Sequence, residues 1–212
     1  MSTLSAVRAG AERLVALVHR ARAAGATDLT WLDVGGGLAV CYDEEPEADL
    51  SMLRTIASET HAATGCTILL EPGRYLIANA GVLLSRVLYR KRSGETEFMI
   101  IDAGMTELIR PPLYDAYHRV EAVHETTRAV VADVVGPVCE SGDFLAVGRR
   151  VPDLAPGQLL VLHSVGAYGA VMGSTYNARP RAAEVIVDGA RWAVATARET
   201  YADLIRRDRA SL

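Results

Sequence analysis

The chain has 212 residues, half of them hydrophobic, 23% charged, and a net charge of -4. That length accommodates one large domain or two small ones. It offers no clustered basic face for nucleic acid and no apolar run near the ~18 residues that cross a membrane, so neither is expected as a partner.

Arg8, Glu12 and Arg13 interrupt any apolar N-terminal region, which argues against a signal peptide. Cys41, Cys66 and Cys139 are odd in number and widely spaced, without a CxxC pair. That pattern disfavours a disulfide framework or a zinc site and makes a reducing cytoplasm the expected compartment. All but one of the 22 basic residues are arginine, the exception being Lys91.

Leu4, Val7, Ala11, Leu14, Val15, Val18 and Ala21 recur at three- and four-residue spacing, which predicts an amphipathic helix ending at Gly25. Residues 29–34 form a short apolar run suited to a buried strand, followed by Gly35-Gly36-Gly37. A second helix is expected from about Pro46 to Thr64, then a strand over 66–70, Glu71-Pro72-Gly73-Arg74, and a short helix to about Ala80. Alternating helices and strands are the rhythm of βα units in a parallel sheet.

Beyond residue 80 the rhythm changes. Residues 82–89, 97–102, 120–123, 126–134, 144–147, 159–162, 183–187 and 191–194 are strand candidates. Strands at such short intervals predict an antiparallel sandwich or barrel. A last helix is expected over about Arg198 to Arg207.

Several polar motifs fall between these elements. Consecutive glycines after a strand permit backbone N–H groups to approach an anion such as phosphate, or form a plain flexible turn. Glu71 and Arg74, at the C-terminal end of a strand, suit a cationic ring nitrogen and an anion respectively, or are two solvated charges at a Pro-Gly turn. Arg110, on an expected linker, is a possible carboxylate clamp, with Tyr114 four residues on; the alternative is a surface loop. Cys139-Glu140-Ser141-Gly142-Asp143 sets a thiol beside carboxylates on a turn, suited to acid, base or ligand work, or simply a polar turn. Glycines flank Tyr168 and allow its ring a close approach to a ligand, or make a tight turn. His118, His124 and His163 lack metal-like spacing to acidic partners.

Taken in order, these motifs resemble the fold-type III pyridoxal-phosphate decarboxylases, and diaminopimelate decarboxylases more closely than the ornithine or arginine enzymes. The resemblance runs from Leu32-Asp33-Val34-Gly35-Gly36-Gly37 through Glu71-Pro72-Gly73-Arg74-Tyr75, Asp102-Ala103-Gly104-Met105, Arg110-Pro111-Pro112-Leu113-Tyr114, Gly136-Pro137, Cys139 to Asp143, Gly166-Ala167-Tyr168-Gly169 and Tyr176-Asn177 to Arg198-Glu199-Thr200-Tyr201.

The resemblance implies a (β/α)8 barrel plus a C-terminal β domain. Residues 1–80 would be the last βα units of the barrel. Residues 81–212 would be the β domain, with the terminal helix returning toward the barrel. It implies pyridoxal 5'-phosphate as cofactor, contacted by Gly35, Gly36, Gly37, Glu71, Arg74 and Tyr168. A carboxylate at Glu71 would keep the pyridine nitrogen protonated. Arg74, Arg110, Tyr114, Glu140 and Tyr168 would bind an amino-acid substrate, with Glu140 on the distal ammonium and Cys139 as proton donor. The implied reaction converts meso-diaminopimelate to lysine and CO2. The Cys139 loop would serve the partner subunit's site, which implies a homodimer or pairing with a full-length or N-terminal half.

In that family a Schiff-base lysine and a ring-stacking histidine lie upstream of anything matched here, and Lys91 matches neither. The chain therefore reads as the C-terminal half of such an enzyme. The alternatives are a non-catalytic dimerisation or regulatory partner of a full-length relative, or an unstable remnant with an exposed barrel edge. The purified chain with added pyridoxal phosphate is expected to release no CO2 from diaminopimelate above background; turnover in that assay would overturn the expectation.

Overall fold

In the computed structural model, which describes residues 3–206 and 208, the chain divides between Ile77 and Ala78 into two units. In the first, helix α1 (Thr3–Ala23) buries Leu4, Ala11 and Val18 along one face. Leu4 packs with Leu38 and Leu53, and Val18 with Leu32 and Cys66. Strand β1 (Trp31–Asp33) pairs parallel with β2 (Thr67–Leu69), and α2 (Leu50–Thr64) runs between them. Helix α2 begins at Leu50, four residues later than expected from Pro46. Asp49 stops it there: Ser51 and Met52 donate their N–H groups to its carboxylate at 2.9 and 3.2 Å. Helix α3 (Gly73–Ile77) closes this unit.

The expected barrel is not in this chain. Among the described residues the first unit carries only the two parallel strands β1 and β2.

The second unit holds a six-stranded sheet in the order β5-β8-β3-β4-β6-β7, with β3 at Leu83–Ser93, β4 at Thr96–Ile101, β5 at Val120–Ala122, β6 at Ala129–Val135, β7 at Phe144–Pro152 and β8 at Leu159–Leu162. The end strands β5 and β7 also approach each other, so the sheet is nearly closed. Alternating residues face inward, and Val87, Met99, Ile101, Val134, Leu145, Val151, Leu160 and Leu162 make the core. The sheet is mixed, which corrects the antiparallel expectation. β4 and β6 are parallel, with Phe98 opposite Asp133 and Ile100 opposite Val135. Parallel neighbours need a long crossover. Here it spans residues 102–128 and carries α4 (Arg110–Tyr114) and β5, which pairs with β8. Lys91 lies on β3 opposite Phe98.

Strands β9 (Glu184–Asp188) and β10 (Arg191–Thr196) form a separate hairpin that sets Val185, Val187, Trp192 and Val194 on one exposed face. Helix α5 (Tyr201–Leu204) is shorter than expected. Thr200 caps it by a reciprocal pair of bonds with Asp203, while the expected end at Arg207 lies outside the described residues. Among the described residues no helix is long and apolar enough to cross a membrane.

His118, just before β5, is fully buried. Its Nδ1 meets the His163 carbonyl at 2.9 Å, and its Nε2 meets Arg110 Nη1 at 3.4 Å. A carbonyl only accepts and a guanidinium only donates, so Nδ1 carries the proton and Nε2 accepts. Burial pushes the imidazole pKa down, and the Arg110 and Arg149 charges push it the same way. Unfolded histidine takes up a proton near pH 6.5 and folded His118 only at lower pH, so the unfolded state is favoured as pH falls below about 6.5. Urea unfolding followed between about pH 5 and pH 7.5 should show stability falling with acid. His118→Gln, which keeps one donor and one acceptor, should flatten that slope.

Candidate functional site

In the first unit the ends of β1 and β2 bring the glycine run and Glu71 together. Val34 donates to the Leu69 carbonyl at 3.1 Å, and Glu71 donates to the Gly35 carbonyl at 2.9 Å. Gly36 sits against the Glu71 carbonyl so closely that a Cβ would collide with it. Gly35 and Gly37 both have positive φ, with open space where a side chain would be. Asp33 accepts the Gly35 N–H at 2.7 Å and so braces the turn. The Glu71 side chain and Arg74, in α3, are exposed beside it. The result is an acid, a guanidinium and a side-chain-free turn at the C-terminal ends of two parallel strands. That donor set fits a phosphorylated heterocycle: glycine backbone and Arg74 for the anion, Glu71 for a ring N–H.

In the second unit Arg110 to Tyr114 is a one-turn helix, α4, not the expected linker. Pro111 and Pro112 suit a first turn because their missing N–H groups have no intrahelical partner there. Asp115, in a left-handed conformation, ends it. Arg110 is buried at 6% exposure, its guanidinium against His118, whereas Tyr114 is 62% exposed. The two are thus neighbours in sequence but face different surroundings.

The loop between β6 and β7 turns tightly. Glu140 donates to the Val138 carbonyl at 2.9 Å, and Asp143 donates to the Glu140 carbonyl at 3.0 Å. Cys139 and Glu140 are exposed at its tip, and Gly142 packs beside Pro112 of α4. Tyr176 donates its hydroxyl to Glu140 Oε2 at 3.2 Å. The Glu140 carboxylate, by that bond and by its charge, raises the Tyr176 phenol above its ordinary value, and Cys139 adds to the rise. Cys139, Glu140 and Tyr176 therefore form one cluster. Tyr168 stands 48% exposed with φ of 62°, on a turn that docks elsewhere: Val165 donates to the Gly81 carbonyl at 3.0 Å and Gly166 to that of Ala78 at 3.0 Å.

Two features escaped the motif reading. Asp143, the last residue of the Cys139 to Asp143 motif, is buried at 4% exposure. Glu107 accepts from the Gly104 N–H and the Thr106 hydroxyl, both at 2.8 Å, and bolts the Asp102 to Met105 turn in place. The signal for Asp143 was available as glycines at 104 and 136 with an acid closing the loop, but only folding shows that they meet.

Residues 30–166 match the family model for the pyridoxal-dependent decarboxylase C-terminal sheet domain. Diaminopimelate decarboxylase from Pseudomonas aeruginosa is 48% identical over 195 residues, which cover 91% of this chain and 46% of that protein. A crystal structure of a protein from Aquifex aeolicus superposes with a TM-score of 0.93 at 39% identity, over 98% of this chain and 52% of that one. Helicobacter pylori diaminopimelate decarboxylase, solved in complex with L-lysine, gives a TM-score of 0.90 at 35% identity, over 97% of this chain and 51% of that one. The chain spans about half the length of the curated relatives it matches.

Glu140→Gln should lower the Tyr176 titration toward that of a free phenol, because the neighbouring negative charge that opposes phenolate is removed. Carbon-13 spectra of ring-labelled tyrosine, assigned with Tyr176→Phe, would read this; an unmoved titration would separate Tyr176 from Glu140 in solution.

Proposed function

Because this chain belongs to the pyridoxal-dependent decarboxylase family, matching its C-terminal sheet domain over residues 30–166, we propose that it supplies one wall of a diaminopimelate decarboxylase site. The observation that carries this reading is the exposed cluster of Cys139, Glu140 and Tyr176 on the β6–β7 loop. A carboxylate held by a phenol suits the distal ammonium of a diamino acid, and a thiol beside it suits proton donation. The 48% identity to a diaminopimelate decarboxylase supports that substrate over shorter diamino acids.

In this reading Gly35, Gly36, Gly37, Glu71 and Arg74 hold pyridoxal 5'-phosphate, with Tyr168 against cofactor or substrate. When bound, the cofactor supplies an acceptor for the electron pair released as a carboxylate leaves as CO2. Glu71 accepts the hydrogen bond of the ring N–H and keeps the proton on that nitrogen. Arg74 and Tyr114, both exposed, hold substrate carboxylate, whereas Arg110, buried with its guanidinium on His118, braces α4 from within the fold. Glu140 binds the distal ammonium, and the Cys139 thiol returns a proton to the carbon that lost CO2. The Cys139 loop serves the site of a partner subunit. The β1–β2 pair belongs to a parallel barrel whose other strands, with the lysine that attaches the cofactor, come from polypeptide other than these residues. Lys91, on a strand of the sheet domain, is not that lysine.

Co-expression with the upstream half of a diaminopimelate decarboxylase tests this. The pair should form lysine from meso-diaminopimelate. Glu140→Gln in the pair should lower kcat/KM about 30- to 5000-fold, the range for removing one partner of a charge pair worth ~2–5 kcal/mol. Lysine formation unaffected by the substitution, or no lysine in any pairing, would sink the reading.

A further inference from the structure

The β6–β7 loop is held by the carboxylate of Asp143. Asp143 is buried, and its two oxygens point in different directions. Oδ1 accepts the Met105 N–H and Oδ2 accepts the Val138 N–H, each at 2.6 Å. The backbone of the same residue closes the loop: its carbonyl accepts the Gly136 N–H at 2.9 Å. Gly104 and Gly136 flank the carboxylate so tightly that a Cβ on either would overlap it. Three stretches, 104–105, 136–138 and 140–143, thus converge on one side chain.

Short N–H to carboxylate bonds of this kind are roughly twice as strong as neutral ones. A buried carboxylate also has no water to fall back on, so displacing it is costly. Val138 directly precedes Cys139, and the Asp143 N–H bonds to the Glu140 carbonyl at 3.0 Å. Fixing Val138 and Asp143 therefore fixes both ends of the four-residue span that carries the thiol and the acid. Met105, on the other side of the bridge, follows the turn that Glu107 bolts down. The loop is thus tied to the Asp102 to Met105 turn through Asp143, in addition to the Tyr176 hydroxyl bond on Glu140.

We infer that Asp143 is a positioning residue: its buried carboxylate, bridging the Met105 and Val138 N–H groups in a niche made by Gly104 and Gly136, sets where Cys139 and Glu140 stand. That the positioned pair takes part in decarboxylation rests on the reading above; the positioning itself does not. A residue that serves only the fold would loosen the whole sheet when changed. A positioning residue loosens the loop and leaves the sheet intact.

The test uses the full chain and Asp143→Asn, which keeps the shape and one acceptor but offers Val138 no second oxygen. Amide exchange at Met105 and Val138 should quicken about tenfold or more, as expected for losing a charge-assisted bond. Exchange in β4 at Met99 and Ile101, and in β8 at Leu160 and Leu162, should stay within about twofold. The Tyr176 titration should fall as Glu140 leaves its place. Gly136→Ala, which crowds the carboxylate without removing it, should produce the same pattern. Unchanged loop exchange and an unchanged Tyr176 titration would overturn the inference. So would acceleration of the β4 and β8 amides together with the loop, or failure of both variants to fold. In the co-expressed pair Asp143→Asn should lower lysine formation at least tenfold. An inactive wild-type pair alongside the loop pattern would overturn the decarboxylase reading while leaving the positioning role standing.

Discussion

A buried carboxylate with two backbone N–H groups aimed at it is the constraint around which the sheet domain's polar loops are arranged. Asp143 is buried, and its two carboxylate oxygens each accept a backbone N–H, so peptide dipoles face it from two sides. That requires backbone at close range from two directions. Only glycine allows it, and Gly104 and Gly136 stand at the two points of approach. The Asp102 to Met105 turn, the Gly136-Pro137 turn and the Cys139 loop are consequently one assembly, not three separate turns.

The mixed sheet explains why these turns meet. Because β4 and β6 run parallel side by side, the chain leaves the end of β4 and must return to start β6 at the opposite end. The 102–128 crossover uses that path to place α4 and to lay β5 against β8 at the far edge. The end of β6 then emerges beside the start of the crossover, which is where Gly136 meets Asp143 and Met105. The same path buries His118 against the end of β8 and turns Arg110 onto it. A purely antiparallel order, as the short strand spacing suggested, would join β4 to β6 by a tight turn and leave no such convergence.

Much of the element pattern was legible because periodicity reports burial directly. The seven-residue recurrence of Leu4, Ala11 and Val18 marks α1, and apolar runs at short intervals mark β3, β4 and β8. The beginning of α2 was less legible, since it depends on which acid reaches the first free N–H groups, and Asp49 does so where Glu47 and Glu45 do not. Helix α4 was hidden because two consecutive prolines read as a break, although they are compatible with a first turn. The motifs drew attention to Arg110, Cys139 and Glu140 as chemistry-bearing types. Their surroundings were not legible: Arg110 is buried on a neutral histidine, while Glu140 is exposed and holds a phenol 36 residues away.

By itself the sequence determined the residue chemistry, the spacing of its apolar runs and the order of the motifs, which together carry the family membership. Those properties are local, or depend on order along one dimension. Only the tertiary structure decided that β4 and β6 are parallel, that the Gly35 to Gly37 turn abuts Glu71, and that Asp143 sits between Gly104 and Gly136. These are contacts between residues far apart in the chain. Their partners are selected by which strands share a core and by which backbone can come close enough to satisfy a charge removed from water.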